Sequence, residues 1–330
     1  MSVRSGTGRA GPRWRPSASI EVMRLRAAVL RRLRRWFEDR GVLEVETPVL
    51  SSAGASDPHL ENVSAQLDGR AYFLHTSPES AMKRLLAGGS GDIFQVCHVF
   101  RAGELGQKHN PEFTMLEWYR LGHSLEDMMT DVESLTRDLC GIRRPLVPFR
   151  RTSYQDLMRQ FVDVDPFTAA VPELVDALDR NGIASPAGSP LERDELLDLL
   201  LATVVEPAMD PAQPLFVYHF PASQAALARI LPGDPPVAER FELFFGGMEI
   251  ANGFHELTDT VEQGRRFDRE LARRAEEGSF VPARDDALLA ALEAGLPDCS
   301  GVALGLDRLL MYIADVDEIS DVLTFDLARA

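Results

Sequence analysis

Apolar residues between Val22 and Trp36 recur every three or four positions, which is the spacing of one helix face. Ser19 precedes them as a candidate N-cap, and Gly41 follows them as a stop signal. The pattern therefore predicts a first helix with a buried apolar stripe. Its opposite face is basic and carries Arg24, Arg31, Arg32, Arg34 and Arg35.

Strand patterns cluster near both ends of the chain, and helical patterns lie between them. Residues 93–101 and 112–120 alternate as strands, and the polar loop 102–111 joins them. Helical periodicity extends from about residue 123 to residue 211. This distribution predicts an α+β fold with an antiparallel sheet flanked by helices. The other predicted elements are a strand at 42–48, strands from residue 216 onward, a charged helix at 260–277 and a strand–helix unit at 302–313.

Composition narrows the class of protein. The 330 residues are 45% hydrophobic and 26% charged, with a formal net charge of −16 at pH 7. This acidity argues against a broad basic surface for nucleic acid, and no apolar run reaches the ~18 residues of a membrane helix. The first 18 residues lack the apolar stretch of a signal peptide. We therefore predict a disordered tail at 1–18 and one domain at 19–330.

Cysteine usage bears on the location of the protein. Cys97, Cys140 and Cys299 are isolated, and none belongs to a CxxC pair. An odd number of scattered cysteines is typical of a reducing compartment without a disulfide framework. We therefore expect a cytoplasmic enzyme or binding protein.

Two acidic residues stand in a predicted hairpin at 240–251, whose turn is Gly246-Gly247. In that register Glu249 would lie opposite Phe244. Glu242 would lie opposite Ala251, on the same face as Glu249. Converging carboxylates require a positive partner, and Mg²⁺ with a bound polyphosphate would supply one. An ordinary exposed hairpin with two acids is the alternative interpretation.

The strand after this hairpin continues to Glu256. Strict alternation would point Glu256 away from Glu249. The two acids would share a site only if Gly253 marked a bulge or a kink. Alternation by itself leaves the side of Glu256 open.

The strand pair at 93–120 is a second candidate site. Phe113, Glu117 and Tyr119 alternate onto one face, where a carboxylate and a phenol could surround an ammonium group. Arg101 ends the first strand beside the loop and is suited to gripping phosphate. A solvated polar loop is the alternative. The polar residues of this loop include Glu104, Lys108, His109 and Asn110.

The segment 302–309 passes from strand to helix through Gly305. A helix N-terminus favours an anion, and Arg308 in the first turn adds a positive charge. One glycine is a weak signal for a phosphate loop. The sequence contains neither a GxxxxGK[ST] nor a GxGxxG motif, so it supports neither P-loop nor Rossmann nucleotide binding.

Taken in order, these segments resemble the catalytic core of class II aminoacyl-tRNA synthetases of the lysyl type. The first predicted helix together with residues 40–48 looks like motif 1, which builds the dimer interface in that family. Residues 100–119 look like motif 2, and residues 305–309 look like motif 3. Motif 1 begins soon after the tail, so we expect no OB-fold anticodon domain.

Within that family, residues 216–224 and 297–303 are similar to the truncated paralogue that attaches lysine, usually (R)-β-lysine, to elongation factor P. Ala303 replaces the first glycine of the synthetase Gly-x-Gly-x-Asp-Arg motif. The resemblance implies ATP and Mg²⁺ as cofactors and a homodimer formed through motif 1. It implies neither tRNA anticodon contact nor membrane binding. The alternatives are a lysyl-tRNA synthetase-like enzyme that charges tRNA and a catalytically silent regulatory paralogue.

The resemblance also implies a role for each matching residue in the formation and transfer of a lysyl-adenylate. Arg101 and Arg308 would be catalytic, and Glu242 and Glu249 would hold the metal. Glu104 stands one position later than the usual motif 2 glutamate. The residues implied for ATP are Arg101, Glu104, His109, Asn110, Phe113, Glu242, Glu249, Gly305 and Arg308. The residues implied for the lysine substrate are Ser77, Glu79, Glu117, Tyr119, Asn252, Phe254, Glu256 and Ala303.

We further hypothesise a docking surface for the acceptor protein. The arginine face of the first helix, with Lys83, Arg84 and Lys108, would form a local positive patch on an acidic protein. Reversing the charges of Arg31 and Arg32 should weaken modification of the partner and leave adenylate formation intact. An equal fall in both rates would indicate a role in folding or dimerisation only.

Overall fold

The computed structural model describes residues 12–184 and 191–330. No helix within these residues is long and apolar enough to cross a membrane. The helices are α1 (Ile20–Glu38), α2 (Glu79–Ala87), α3 (Leu125–Cys140), α4 (Tyr154–Val162), α5 (Val171–Arg180), α6 (Arg193–Leu200), α7 (Glu206–Ala208), α8 (Thr260–Glu276), α9 (Asp286–Gly295) and α10 (Leu306–Ala314). The strands are β1 (Leu43–Glu44), β2 (Leu50–Ser51), β3 (Val63–Leu67), β4 (Arg70–Leu74), β5 (Ile93–Phe100), β6 (Glu112–Leu121), β7 (Arg150–Ser153), β8 (Leu215–Pro221), β9 (Ile230–Leu231), β10 (Val237–Phe245), β11 (Met248–His255) and β12 (Cys299–Gly305).

The first helix begins at the residue that the sequence pattern predicts. Ser19 Oγ accepts a hydrogen bond of 3.2 Å from the backbone N–H of Val22 and so caps α1. Val29 and Leu33 on the apolar stripe are fully buried, and α1 packs against α3 and α10. The arginine face is exposed. Burial of one face, rather than helix propensity, therefore fixes the orientation of α1.

The main sheet has nine strands in the order β1-β5-β6-β12-β11-β10-β8-β7, with β9 paired to β10. Pairing is antiparallel from β5 across to β8, and the two outer pairs, β1–β5 and β7–β8, are parallel. The α+β fold class is confirmed, although the sheet is mixed at its edges. The predicted strand at 42–48 is reduced to the two residues of β1. A smaller antiparallel sheet has the order β2-β4-β3.

The two faces of the main sheet have different roles. One face carries large apolar side chains such as Trp118, Phe241 and Leu304, which are buried in the core beneath α1, α3 and α10. The opposite face carries polar and charged side chains, because residues alternate along each strand. This asymmetry leaves the second face free to form a site.

Helices α4 to α6 and the π-helical turn Leu201–Val205 form a second layer beside β8. Its core includes Tyr154, Leu174, Leu197 and Phe220, all of which are buried. Phe220 and Phe244 belong to the main sheet as well as to this cluster. The second layer is therefore packed directly onto strands that also line the functional face.

The segment before α1 packs against the end of the chain. The backbone N–H groups of Ser17 and Ala18 donate to the carbonyls of Thr324 and Leu323 at 2.8 and 3.0 Å. Residues 1–11 of the predicted tail lie outside the described residues. The domain boundary at residue 18 stays a prediction.

Candidate active site

A cavity of about 800 Å³ covers the polar face of the main sheet. Its walls come from the facing side of β6, β10, β11 and β12, the loop between β5 and β6, and the first turns of α2 and α10. Every residue that the sequence analysis assigned to ATP, metal or lysine lines this one cavity. They are Ser77, Glu79, Arg101, Glu104, His109, Asn110, Phe113, Glu117, Tyr119, Glu242, Glu249, Asn252, Phe254, Glu256, Ala303, Gly305 and Arg308.

The hairpin of β10 and β11 contains a bulge close to its turn. At the tip, Glu249 lies opposite Phe244, as the sequence predicts. The next pair is Ala251 with Leu243, which leaves Ile250 as an extra residue. A bulge of this kind interrupts the ladder and reverses the alternation of every residue beyond it.

The bulge corrects two expectations. Glu242 lies opposite Asn252 and not opposite Ala251. Gly253 is not the irregular position, because it lies in register opposite Phe241. A Cβ at Gly253 would overlap the Phe241 ring. The glycine therefore permits close packing and produces no kink.

Reversed alternation places both ends of β11 in the same site. Glu249 precedes the bulge, Asn252 and Glu256 follow it, and all three line the cavity. On the neighbouring strand, Ala303 lies opposite Asn252 on one side and opposite Glu117 on the other. The cavity floor is thus a row of facing positions across β11, β12 and β6.

One end of the cavity is an acidic wall, which consists of Glu79, Glu117, Tyr119 and Glu256. Tyr119 donates its hydroxyl proton to Glu117 Oε1 at 2.8 Å, and Glu117 Oε2 is buried without a hydrogen-bond partner in the described residues. Gly301 lies between Tyr119 and Glu256, where a Cβ would come within 2.5 Å of Glu256 Oε1. A buried, unpartnered carboxylate oxygen needs a donor, so this wall is suited to a cationic group.

Burial sets the proton affinity of the acidic wall. It raises the pKa of Glu117 to about 8, and the neighbouring Glu79 carboxylate adds to this effect. Burial likewise raises the pKa of Glu256 to about 7, although the Lys83 ammonium acts in the opposite direction. Both carboxyl groups therefore titrate near neutral pH.

The structure contradicts the expectation that Lys83 belongs to a surface patch. Its side chain is buried in α2, and its ammonium lies 2.6 Å from Glu79 Oε1 and 2.5 Å from Glu256 Oε2. Arg84 lines the cavity and is exposed. Lys108 also lines the cavity, and its Nζ donates to the Gly247 carbonyl at 2.6 Å. Lys83 was misplaced because its charge suggested exposure, whereas its carboxylate partners permit burial.

Two of the sequence-predicted ligands have polar atoms that hold neighbouring backbone. Ser77 Oγ accepts a hydrogen bond from the N–H of Glu79 at 3.1 Å, at the start of α2. Asn110 Nδ2 donates to the Glu112 carbonyl at 2.6 Å, and its Oδ1 accepts from the N–H of Leu327 at 3.2 Å. Both residues line the cavity while stabilising its walls.

Arg101 dominates the opposite end of the cavity. Its guanidinium carbon lies 5.3 Å from the centre of the Phe113 ring. Its Nη1 lies 3.6 Å from Glu104 Oε1, and its Nε is buried without a hydrogen-bond partner in the described residues. A guanidinium with free donors beside an aromatic ring can bind a phosphate next to a stacked base.

Arg308 faces the same end from the first turn of α10. Its Nη1 donates to the Glu249 carbonyl at 2.9 Å, and its Nη2 lies 2.6 Å from His109 Nε2. Burial and the Arg308 charge lower the pKa of His109, which keeps the imidazole neutral and able to accept this hydrogen bond. Gly305 is the N-cap of α10 and offers no side-chain cap, and the first backbone amides of a helix favour an anion.

Sequence reasoning missed a buried network that fixes this helix. Asp307 accepts hydrogen bonds from Arg26 Nη1 at 2.5 Å and from the Thr114 N–H at 2.6 Å. Arg26 Nη2 also reaches Thr114 Oγ1 at 2.5 Å. The available signal was that Arg26 interrupts the apolar stripe of α1, four positions after Val22. The network joins α1, β6 and α10, which carry motifs 1, 2 and 3.

A second network supports Glu242. Arg240 and Glu242 form a buried ion pair, and Arg240 Nη1 donates to the Gln224 carbonyl at 3.0 Å. The Arg240 guanidinium carbon lies 4.4 Å from the centre of the Phe220 ring. Residues 216–224, which the sequence analysis singled out, are thereby connected to one of the two predicted metal ligands.

Glu242 and Glu249 are adequate for Mg²⁺ bound to a polyphosphate. No group of three or more His, Cys, Asp or Glu side chains within the described residues could hold a metal ion. Mg²⁺ usually takes only one or two protein carboxylates when phosphate oxygens and water complete its octahedron. Glu242 and Glu249 line the same cavity as Arg101 and Arg308, so the pair could supply that number of carboxylates.

Comparison with known proteins identifies the family to which this chain is similar. Residues 13–329 match the family model described as tRNA synthetases class II (D, K and N). The chain is 46% identical over 323 residues to the elongation factor P–(R)-β-lysine ligase of Pasteurella multocida, covering 96% of this chain and 98% of that protein. The proteins of the same name from Salmonella gallinarum and Mannheimia succiniciproducens are also 46% identical, with the same coverage.

The resemblance seen in the three motifs is confirmed by matches that span nearly the whole chain rather than isolated segments. The two expected subgroup segments, 216–224 and 297–303, fall inside the matched range. The chain therefore belongs to the class II tRNA synthetase family, and within it to the group of the elongation factor P–(R)-β-lysine ligases.

Proposed function

We propose that this protein is an ATP-dependent ligase that activates lysine and transfers it to elongation factor P. The substrate would be lysine, with (R)-β-lysine favoured by the names of the relatives. The observation that carries the proposal is the pairing, in one cavity, of a buried acidic wall with two arginines at the other end. This pairing suits a diamino acid, because the acidic wall would bind its ammonium groups while the arginines bind the phosphates that its carboxylate attacks.

In the first step, the lysine carboxylate attacks the α-phosphorus of ATP, and the bond to pyrophosphate breaks. Arg101 would neutralise charge on the α-phosphate, and Arg308 would hold the γ-phosphate. Phe113 would stack on adenine, with Glu104, His109, Asn110 and Gly305 around the nucleotide. Catalysis would come from positioning and electrostatics, without a covalent enzyme intermediate.

Glu242 and Glu249 would hold Mg²⁺, which supplies charge neutralisation for the polyphosphate when bound. Arg240 would keep the Glu242 carboxylate oriented toward the cavity through their ion pair. Arg308 lies 3.9 Å from Glu249 Oε2. Each acid thus has an arginine nearby, which limits the repulsion between them.

At the acidic wall, Glu79, Glu117, Tyr119 and Glu256 would bind the ammonium groups of the substrate. Asn252 would orient its polar head. The remaining predicted contacts, Ser77, Phe254 and Ala303, would shape the space around its chain. Burial of this wall supports selectivity, because a buried polar group left without its partner is costly.

In the second step, the ε-amine of the acceptor lysine attacks the carbonyl carbon of the mixed anhydride. A C–N bond forms, the C–O bond to the phosphate breaks, and AMP leaves. The amine has an ordinary pKa near 10.4, so it must lose a proton before it can attack.

We also propose a cytoplasmic homodimer formed through motif 1, without contact to a tRNA anticodon or a membrane. Leu43 lies in this segment and is 54% exposed, and its strand β1 contacts α1. An exposed apolar side chain beside α1 is consistent with burial against a second copy. Sedimentation of the purified protein would test the dimer.

The decisive test is the intact mass of elongation factor P after incubation with this protein, ATP, Mg²⁺ and each lysine isomer. A gain of one lysyl unit is expected, and Arg101→Ala should abolish it while the exposed-surface variant Arg269→Ala should not. No gain with either isomer would contradict transfer to elongation factor P. Lysine-dependent pyrophosphate exchange would then separate a tRNA-charging enzyme, which is active, from a silent regulator.

A further inference from the structure

Lys83 is a buried cation directly behind the acidic wall. It is 1% exposed, and the described residues that line the cavity include Glu79 and Glu256 but not Lys83. Its Nζ lies 2.6 Å from Glu79 Oε1, four residues earlier on α2, and 2.5 Å from Glu256 Oε2, just after β11. One ammonium therefore joins two carboxylates that belong to different parts of the fold.

The groups around Lys83 form an unequal set of charges. Besides Glu79 and Glu256, the set contains Glu117, whose carboxylate is bound by the Tyr119 hydroxyl. Among the described residues, Lys83 is the cation in ion-pair contact with this set. His255 also acts on Glu256, but its ion-pair partners are Glu239 and Asp298. Full ionisation of Lys83 and the three glutamates therefore leaves two net negative charges. Uncompensated charges are costly in a buried site. The wall therefore requires either two protons or two external cations. The neighbouring Cys299 thiol stays neutral, because burial raises its pKa.

We propose that Lys83 is a positioning residue that sets this deficit at two charges and so matches the wall to the two ammonium groups of a diamino acid. The inference rests on the proposed function. Lys83 would hold Glu79 and Glu256 from behind, which leaves their other oxygens, with Glu117, to face the substrate. Its role is to fix acceptors in place, and it touches no reacting atom.

The chemistry of lysine suits this position. An ammonium is a compact point charge with three donors, whereas a guanidinium is a larger planar fork. Burial alone would lower the pKa of Lys83, but the ion pairs with Glu256 and Glu79 outweigh it and raise the pKa. The side chain therefore keeps its positive charge at neutral pH. The net charge of the wall then depends on the protonation of its carboxylates and not on that of Lys83.

The test compares binding of L-lysine, (R)-β-lysine and norleucine, which has the carbon chain of lysine but lacks the terminal ammonium group. Dissociation constants would be measured by calorimetry at pH 7 and pH 9 for the wild type and Lys83→Met. Loss of Lys83 removes the positive charge that opposes protonation of Glu256, so Glu256 would hold its proton more tightly at pH 7. We expect Lys83→Met to bind its preferred lysine isomer about tenfold more weakly at pH 7, equivalent to about 1.4 kcal/mol.

Two expected results would distinguish a positioning role of Lys83 from a general role in folding. The loss should shrink at pH 9, where the protons of Glu117 and Glu256 are released, and affinity for ATP should stay unchanged. The control is Arg269→Met, which removes a cation that is 73% exposed and should keep the affinity for lysine. Lys83→Arg retains the positive charge, so it should keep more of the discrimination against norleucine than Lys83→Met does, although its larger planar guanidinium fits between the two carboxylates less well.

The outcomes separate this inference from the proposed function. A Lys83→Met protein that keeps wild-type discrimination between lysine and norleucine overturns the role of Lys83 alone. Parallel loss of lysine and ATP binding at both pH values also overturns it. A wild-type protein that binds no diamino acid overturns both proposals.

Discussion

The two ends of the cavity differ in how far their charged side chains are exposed to solvent. Glu117 and Glu256 at the acidic wall are 2% and 1% exposed, and they come from the interiors or ends of central strands. Arg101 and Arg308 at the other end have side chains that are 26% and 23% exposed. Arg101 begins the loop between β5 and β6, and Arg308 lies in the first turn of α10.

This contrast indicates a division of labour between selection and turnover. A buried wall discriminates strongly, since a wrong ligand leaves its polar groups without partners. A part-exposed end can admit a nucleotide and release pyrophosphate, because its groups remain solvated in the free protein. Changes at the two ends should therefore affect different kinetic constants.

The largest effect is expected at the open end. Arg101→Ala should lower kcat for lysine-dependent pyrophosphate exchange by about 10²–10³-fold, since it removes a donor aimed at developing charge. The affinity for lysine should change little. Arg269→Ala removes a side chain that is 73% exposed and serves as the control. A rate of pyrophosphate exchange by Arg101→Ala within about tenfold of the wild type would contradict a role of the arginine end in turnover.

A matched pair of carboxamide substitutions compares the two ends directly. Glu117→Gln should raise KM for lysine by about ten- to a hundredfold, because a buried charge-assisted hydrogen bond is lost. Glu104→Gln should raise KM for ATP only a few fold, since its carboxylate is 31% exposed and 3.6 Å from Arg101. Steady-state kinetics with each substrate varied would check both. Similar effects on both constants in either variant would contradict the division.

The pH dependence of stability should come from the buried end. The folded protein holds protons on Glu117 and Glu256 up to their pKa values of about 8 and about 7, above the ordinary 4.5. The unfolded chain binds fewer protons in this window, so the free energy of unfolding falls as pH rises from about 4.5 to about 8. Lysine supplies the missing cations. Its stabilising shift in Tm should therefore grow between pH 6 and pH 8.5.

Thermal melts with and without lysine would measure this effect. Glu242 also has a pKa raised to about 7 by burial and contributes to the pH dependence of the free protein. Glu117→Gln separates the two, because it should flatten the lysine-dependent part and leave the contribution of Glu242 to the free protein in place. A lysine-induced shift in Tm that is constant with pH would count against the acidic wall as the lysine site.

The smallest effect is expected at the cavity floor. Ala303 lies between Asn252 and Glu117 and adds one methyl group to the space where the substrate head would sit. Ala303→Gly should shift the ratio of kcat/KM for L-lysine and (R)-β-lysine toward L-lysine by about tenfold, as expected for one methyl group. An unchanged ratio would indicate that the isomers are distinguished elsewhere.

Much of this site could be predicted from the sequence because its motifs are local. The face shared by Phe113, Glu117 and Tyr119 followed from alternation along β6, which is regular. The partner of Glu242 could not be predicted, since the extra residue at Ile250 has no distinctive side chain. Bulges depend on pairing with neighbouring strands, and the residue types alone do not reveal them.

Buried charges were the other limit of prediction. Lys83 was assigned to the surface, and Arg26 was not assigned at all, because isolated charged residues are usually exposed. Both are held inside by carboxylates that lie far away in the sequence, such as Asp307 and Glu256. Such partnerships arise from tertiary structure, so a single sequence does not contain a local signal for them.

The bulge at Ile250 works as a phase shift within one strand. Before it, the strand presents Glu249 to the phosphate end of the cavity, and after it the same strand presents Asn252 and Glu256 to the acidic wall. Deleting one residue there would return the strand to regular parity. Asn252 and Glu256 would then turn toward the apolar core while Glu249 kept its place. A single backbone irregularity thus keeps nucleotide chemistry and amino-acid recognition on the same side of the molecule.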